Sequence, residues 1–202
     1  LVVHDARLVL AAAGLESGVA LIAGTGSVAY ARAPDGREGR AGGWGHLLGD
    51  EGSGYWMVRE AARRSLEEQD QGRPPGLLAR ALMDSFGARN PADLLHLMHE
   101  RREPAAWAAR AQVVFQAAGS DPDARAVVAA AAAALAGLAL RVGRRLQLEG
   151  PIVLAGGLLL GQPELEGDLR MELGRQGFRG DAVRLEAPPV AGAVRLAQEL
   201  LA

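Results

Sequence analysis

The sequence contains no cysteine among its 202 residues. Disulfide bonds, thiolate zinc sites, cysteine nucleophiles and cysteine-ligated iron–sulfur clusters are therefore excluded within this chain. A chain without cysteine fits a reducing compartment, and we expect a cytoplasmic protein.

A large net charge and a long apolar run are also lacking. The formal net charge is −2, so no strong field favours nucleic acid or an anionic membrane, and we expect neither as a partner. The longest apolar run, residues 126–140, is shorter than the roughly 20 residues that a membrane-spanning helix needs. We therefore predict a packed helix for this run.

Glycine, by contrast, is abundant, with 27 residues in the chain. Dense glycine indicates unusual backbone dihedrals or a ligand close to the backbone. The densest stretch also holds an indole, an imidazole and two carboxylates, which predicts a binding site for a polar ligand. It contains Gly24-Thr25-Gly26-Ser27 and, after a polar hairpin, Gly42-Gly43-Trp44-Gly45-His46-Leu47-Leu48-Gly49-Asp50-Glu51-Gly52-Ser53.

Alternation of strands and helices predicts the fold class. Short β-branched and alanine-rich runs bounded by turn residues predict strands at 19–23, 28–33, 37–41, 152–154 and 182–185. Helical periodicity and capping residues predict helices at 6–13, from 53 onward, at 77–86, 91–101 and 104–118, from 120 or 121 to 148, and at 162–176 and 190–201. The order predicts an α/β layered domain with a mixed sheet.

The sequence also predicts the caps of the first two long helical runs and the structure of the first residues. Asp5 is expected to cap the first helix, and Ser53 or Asp50 the second. Residues 1–3 are interpreted as the tail of a buried strand.

The chain resembles the N-acetylglucosamine kinase group of the BadF/BadG/BcrA/BcrD ATPase family, in the actin/hexokinase/Hsp70-like superfamily. The glycine-rich block from Gly42 to Ser53 is the specific part of the resemblance, which covers nearly the whole chain. It is supported by Gly24-Thr25-Gly26-Ser27, His4-Asp5-Ala6, Gly119-Ser120-Asp121, Ala155-Gly156-Gly157 and Gly192-Ala193. The resemblance implies an α/β RNase H-like (actin-like ATPase) domain: a mixed five-stranded sheet, flanking helices and a helical insertion at about 77–118.

The resemblance also implies an activity. Members transfer the γ-phosphate of ATP, with Mg²⁺, to the 6-hydroxyl of N-acetylglucosamine or of a relative such as glucosamine or N-acetylmuramic acid. The family begins with a domain that carries an Asp-Gly-Gly-Gly-Thr phosphate loop, and the 202 residues contain no such motif. We expect residues 1–14 to be the tail of that domain, residues 15–202 to be the C-terminal domain, and this fragment alone to be inactive. The sequence does not decide whether the protein forms a homodimer through the helices at 77–118.

Asp5 is the candidate catalytic base by resemblance, accepting the proton of the sugar 6-hydroxyl. A carboxylate suits this role because phosphoryl transfer depends mainly on positioning. The residues alone favour a helix cap instead.

The remaining site residues are also assigned through the resemblance. Gly24, Thr25 and Gly26 would face the phosphates of ATP, although a tight hairpin alone could explain the glycines. Trp44 offers an apolar face to a pyranose ring and Asp50 accepts from its hydroxyls, the alternative being a core Trp and a capping Asp. The full sugar-binding set is Ser27, Val28, Gly43, Trp44, Gly45 and Asp50, and the nucleotide set adds Ala108, Gly156 and Gly157.

The sequence also allows other interpretations of single residues and of the function. We interpret His46 as a structural residue or as one that supports a ligand-binding neighbour, and Glu51 as a further sugar contact or a supporting residue. His96 and His99 lie three residues apart, but no third ligand is placed near them, so no metal site is predicted. An ATPase activator of a dehydratase or reductase, and a sugar kinase of the ROK type, are disfavoured by the lack of cysteine. A non-catalytic sugar-binding domain remains the alternative from another class.

Overall fold

A computed structural model describes residues 5–100 and 103–199 of the chain. The strands are β1 (Gly18–Ala23), β2 (Ser27–Arg32), β3 (Glu38–Gly42), β4 (Ile152–Ala155) and β5 (Ala182–Arg184). The helices are α1 (Arg7–Ala12), α2 (Gly45–Leu48), α3 (Gly54–Asp70), α4 (Leu77–Phe86), α5 (Pro91–Glu100), α6 (Pro104–Ala108), α7 (Ala111–Ala118), α8 (Pro122–Arg145), α9 (Gly157–Gly161), α10 (Pro163–Arg175) and α11 (Pro189–Glu199). The predicted strand at 1–3, and the predicted ends at Arg101 and Leu201, lie outside the described residues.

The strands form one mixed sheet of five strands in the order β3-β2-β1-β4-β5. The pairs β1–β2 and β2–β3 are antiparallel, with Ala23 opposite Ser27 across the first turn. The pairs β1–β4 and β4–β5 are parallel. The predicted mixed five-stranded sheet is confirmed, and β1 is the strand at which the pairing changes from antiparallel to parallel.

Two helical layers cover the sheet. The larger core lies between the sheet and helices α3, α8 and α10, and it includes Ala29 and Ala31 of β2. The smaller core lies on the opposite face, where α1 packs over Tyr30 and Val153. The alternation of these residues along their strands follows the two-residue period of side chains in a sheet.

Helix α8 connects the sheet to the helical insertion. It contacts β1, β2 and β3 on one side and α3, α7 and α10 on the others. Its length and apolar composition would also suit a membrane span, but most of its apolar stretch is buried inside the domain. This is the packed helix that the alanine-rich run predicts.

The insertion between α3 and α8 is built around two aromatic rings. Trp107 is fully buried and its ring lies 4.3 Å from that of Phe86. The guanidinium of Arg110 stacks on Phe86 at 4.3 Å and donates to the carbonyls of Ser85 and Ala106. The single helix predicted at 104–118 is therefore wrong. The chain breaks into α6 and α7 because Arg110 is held by the neighbouring helix.

Capping follows the sequence at two helices and departs from it at a third. Ser53 caps α3 by accepting from the amide of Trp56, and Asp121 caps α8 by accepting from Asp123 and Ala124. Asp5 does not cap α1, because the N-cap residue is Ala6, which has helical dihedrals, and no side chain caps the helix. The carboxylate of Asp5 accepts instead from the adjacent amide of Ala6, at 2.8 Å.

Candidate functional site

The carboxyl ends of β1 and β4 lie side by side and each leads into a glycine-rich turn. Gly156, directly after β4, has a φ of 96°, and a Cβ added to it would lie 2.3 Å from the carbonyl oxygen of Ala23. Only glycine lets the two turns approach so closely. In open α/β sheets, ligands bind outside the carboxyl ends of the strands where the strand order reverses. This edge of the sheet is therefore the place to look for a site.

The turn Gly24–Ser27 is fixed by its backbone and leaves donors unused. The amide of Gly24 donates to Gly26, and the carbonyl of Gly24 accepts from Gly54 at the start of α3. Within residues 5–100 and 103–199, the amides of Thr25 and Gly26 and the Thr25 hydroxyl donate to no other group. Backbone amides presented in this way form an anion-binding surface.

The residues predicted for the nucleotide surround Gly54. A Cβ added to Gly54 would lie 3.2 Å from the Cβ of Ala108 and 3.3 Å from the carbonyl oxygen of Gly24. A Cβ on Gly24 would lie 4.0 Å from the amide nitrogen of Gly157. The structure thus brings together three segments that are far apart in the sequence: the first turn, the end of α6 and the turn after β4.

The carboxylate of Asp50 folds back onto the same turn. One oxygen accepts from the amide of Ser27 at 3.3 Å, and a Cβ added to Gly26 would lie 2.9 Å from the other. The hydroxyl of Ser27 donates to the carbonyl of Glu51 at 2.8 Å. Asp50 is not a helix cap, because Ser53 caps α3, so the alternative prediction of a capping role for Asp50 is wrong. It has a positive φ of 58°, which is uncommon for a residue other than glycine.

Trp44 lies at the surface and not in the core. Its side chain is 64% exposed, and the guanidinium of Arg40 lies 4.6 Å from the centre of its ring. The interpretation of Trp44 as a core residue is therefore wrong. Its neighbours Gly43 and Gly45 have φ values of 69° and 80°, so the indole is carried on a backbone that only glycine adopts easily.

The segment that carries Trp44 is anchored at several points. A Cβ on Gly43 would lie 3.1 Å from the side chain of Val28, and one on Gly52 would lie 2.7 Å from the carbonyl oxygen of Ala131 in α8. The ring of His46 meets Tyr55 edge-on at 5.1 Å, and Arg59 donates to the His46 carbonyl. These contacts support a structural role for His46.

The short helix α2 also exposes two leucines. Leu47 is 79% and Leu48 is 84% exposed, although both are apolar. The segment Trp44–Leu48 thus exposes three large apolar side chains. Helices α2 and α9 are not predicted by the sequence reading, because four or five residues between glycines show no periodicity.

Three concavities of the described chain lie away from the candidate site. Two of about 520 and 530 Å³ are lined by residues of or near α1, including Arg7 in one and Ala12 in the other. A third, of about 420 Å³, lies beside Phe178. None of the three includes a residue of the candidate site. Free amides and an exposed indole indicate the site more directly than volume does, since they supply the contacts that a polar ligand needs.

A family model confirms where the chain belongs. Residues 1–197 match the BadF/BadG/BcrA/BcrD ATPase family. The chain belongs to this family. The match covers nearly the whole chain, as the resemblance predicts.

Proteins similar to this chain carry sugar-kinase names. An N-acetylmuramic acid/N-acetylglucosamine kinase from Clostridium acetobutylicum is 38% identical over 101 residues, which are 49% of this chain and 33% of that protein. An N-acetyl-D-glucosamine kinase from Dictyostelium discoideum is 34% identical over 96 residues, which are 46% of this chain and 30% of that protein. Each match thus spans about a third of the curated relative.

A solved structure shows the same fold. A protein from Chromobacterium violaceum, named as an N-acetylglucosamine kinase, superimposes with a TM-score of 0.70 at 30% identity. The superposition covers 95% of this chain and 64% of that protein. The expected RNase H-like, actin-like ATPase fold is confirmed by this likeness and by the observed sheet order.

Proposed function

We propose that the protein containing this chain is an ATP-dependent amino-sugar kinase. It transfers the γ-phosphate of ATP to the 6-hydroxyl of N-acetylglucosamine or a close relative. The observation that carries the proposal is a juxtaposition: a turn with free amide donors lies directly against Asp50, next to an exposed indole. The first feature suits phosphate and the second suits a sugar, and the names of the relatives agree with both.

The phosphate side is assigned to Gly24, Thr25 and Gly26. Their unused amides and the Thr25 hydroxyl fit the oxygens of a phosphate chain, which supports ATP as the cofactor. ATP supplies the phosphoryl group that is transferred. Ala108, Gly156 and Gly157 would lie along the nucleoside, since all three adjoin the same turn or its neighbour Gly54.

Magnesium is assigned to the nucleotide. The described residues contain no group of three or more side chains that could hold a metal ion. Mg²⁺ in kinases is usually bound by substrate phosphates with only one or two carboxylates. The chain is compatible with that arrangement without a metal cage of its own.

The sugar side is assigned to Asp50 and Trp44, with Ser27, Val28, Gly43 and Gly45 around them. Asp50 uses one oxygen for the amide of Ser27. A carboxylate has about four acceptor positions, so it can still accept from sugar hydroxyls. Trp44 would offer its apolar surface to the ring.

Asp5 is proposed as the base that accepts the proton of the 6-hydroxyl. It is exposed at the start of α1, and its carboxylate accepts from the backbone amide of Ala6. We further propose that residues 1–14 connect this domain to a preceding ATPase domain, which would form the other wall of a cleft. The cytoplasmic location stays a prediction.

Sugar-dependent release of ADP tests the proposal. The full-length protein is incubated with ATP, Mg²⁺ and either N-acetylglucosamine, glucosamine or N-acetylmuramic acid, and ADP is measured by a coupled assay. We expect release with at least one sugar, and the product should carry phosphate at the 6-position by NMR. Binding of a sugar without ADP release from any of them would instead indicate a non-catalytic sugar-binding protein.

A further inference from the structure

Arg40 places a cation at the edge of the candidate site. It lies on β3 with an exposed side chain, and a Cβ on Gly43 would lie 3.8 Å from one of its guanidinium nitrogens. Within the described part of the chain, its guanidinium makes no hydrogen bond or ion pair, and its partner is the ring of Trp44. The nearest arginines on the same hairpin differ: Arg32 and Arg37 pair with Glu38 and Asp35.

Stacking on Trp44 orders this cation without neutralising it. A guanidinium over an indole gains cation–π attraction and loses side-chain freedom, while the edge of its planar fork stays open to an acceptor. Trp44 is itself confined, since a Cβ on Gly49 would lie 3.0 Å from the Cβ of Trp44. Arg40 is therefore preorganised to bind a planar anion such as a carboxylate.

The position of Arg40 separates it from the phosphate side. The donor-rich turn joins β1 to β2, whereas Arg40 lies on β3, the outer strand, opposite Tyr30 of β2. Tyr30 follows Ser27, the last residue of the turn, by three residues, which is about 10 Å along the strand. An anion bound by Arg40 would thus belong to the sugar end of the substrate and not to the phosphates.

We propose that Arg40 binds a carboxylate carried by the amino sugar, and that it directs the site towards acidic hexosamines bearing an ether-linked carboxylate. N-acetylmuramic acid, with its 3-O-lactyl group, has this chemistry, whereas N-acetylglucosamine lacks it. This inference rests on the proposed sugar-kinase function. It makes Arg40 a specificity-determining residue.

Changing Arg40 and the substrate carboxylate separately and together tests whether the two groups pair. The full-length wild type and Arg40→Gln are assayed with N-acetylmuramic acid, its neutral methyl ester and N-acetylglucosamine. We expect the ratio of kcat/KM for the acid to that for N-acetylglucosamine to fall at least about tenfold in Arg40→Gln, as for loss of a charge-assisted hydrogen bond. In the wild type, esterification should lower kcat/KM by a similar factor, and in Arg40→Gln it should have little further effect.

Two further variants separate recognition from a general charge effect. Arg37→Gln removes the same charge three residues away, outside the site, and should leave the substrate ratio unchanged. Arg40→Lys keeps the charge but loses the planar fork, so its ratio should lie between those of wild type and Arg40→Gln.

Three results would overturn the assignment of Arg40. These are an unchanged substrate ratio in Arg40→Gln, an equal loss with acid and ester, or a loss seen mainly as a raised KM for ATP. Each presupposes that the wild type phosphorylates a sugar. Absence of any sugar-dependent ADP release in the wild type would refute the proposed function itself.

Discussion

Asp50 shows how a single residue can connect both halves of the candidate site. Its left-handed backbone costs an L-residue about 1 kcal/mol or more, and the chain retains it. This conformation lets the carboxylate reach Gly26 and Ser27, which lie 23 or more positions earlier in the sequence. A residue held in this way can position the turn and still accept from a ligand.

Asp50→Asn is expected to lower kcat/KM for the sugar about 10- to 100-fold, because a neutral amide replaces a charged acceptor. Asparagine tolerates a positive φ, so the fold should persist and the unfolding midpoint should change little. The coupled ADP assay and thermal unfolding of the same preparation check this. Asp35→Asn in the exposed hairpin turn is the control, and an Asp50→Asn enzyme within threefold of wild type would contradict the assigned role.

The pKa of Tyr30 determines how the stability of the domain should respond to alkaline pH. Burial of the side chain, and then the nearby carboxylate of Glu38, raise the pKa of Tyr30 far above its ordinary value near 10. Above pH 10 the unfolded chain loses this proton while the folded chain keeps it. The free energy of unfolding should therefore fall with rising pH, by up to about 1.4 kcal/mol per pH unit.

Urea unfolding between pH 8 and 11 measures this effect in wild type and Tyr30→Phe. The chain has two tyrosines and no lysine or cysteine, so few side chains titrate near pH 10. We expect Tyr30→Phe to lose clearly less stability over this range. Equal slopes for the two proteins would mean that Tyr30 does not cause the loss.

At the scale of elements, α11 is placed by a close approach to α1. A Cβ added to Gly192 would lie 2.0 Å from the carbonyl oxygen of Leu8 and 2.8 Å from the amide nitrogen of Ala12. Both contacts are with backbone, which cannot move aside as a flexible side chain could. The helices therefore touch at a point where no side chain fits.

Gly192→Ala should destabilise the domain by about 1–3 kcal/mol through overpacking. Gly167→Ala is the matched control, because Gly167 lies within α10 with open space around it and alanine favours a helix by about 0.5–1 kcal/mol. Urea unfolding of both variants at one pH gives the comparison. If both substitutions stabilise the protein, the close packing of α11 on α1 is not as described.

Elements with strong local signals were predictable from the sequence. All five strands and the long helix α8 fall within a few residues of their predicted positions, because periodicity and turn residues specify them locally. The break between α6 and α7 was not predictable, since it depends on Arg110 bonding to residues of another helix. The short helices α2 and α9 carry too few residues for a period to show.

The candidate site was predictable in its motifs but not in its contacts. Gly24–Ser27 and Gly43–Asp50 stand out in the sequence as unusual glycine clusters. The return of the Asp50 carboxylate to Ser27 depends on tertiary folding, and so does the stacking of Arg40 on Trp44. Arg40 was missed because one arginine on a strand gives no sign of whether it is paired.

On the scale of the whole molecule, one continuous core joins the sheet to the helical insertion. Leu135 of α8 is fully buried in that core, and a Cβ added to Gly52 in the site loop would lie 2.7 Å from it. Residues of α4 and α7 belong to the same cluster. Sheet, site loop and insertion should therefore unfold together.

Leu135→Ala should lower the free energy of unfolding by about 2–5 kcal/mol, because it leaves a cavity at the centre of this core. Calorimetry should still show one transition, with equal calorimetric and van't Hoff enthalpies. Leu95→Ala, at a half-exposed position on α5, is the control and should cost much less. Two separate transitions in the wild type would show that the insertion is an independent unit.

The sheet order also has a consequence for behaviour at high concentration. Its two outer strands, β3 and β5, are only five and three residues long. Each carries exposed charge, Glu38 and Arg40 on one and Arg184 on the other. Short, charged outer strands pair poorly with a strand of another molecule. This sheet is consequently protected at both edges against lateral growth into aggregates.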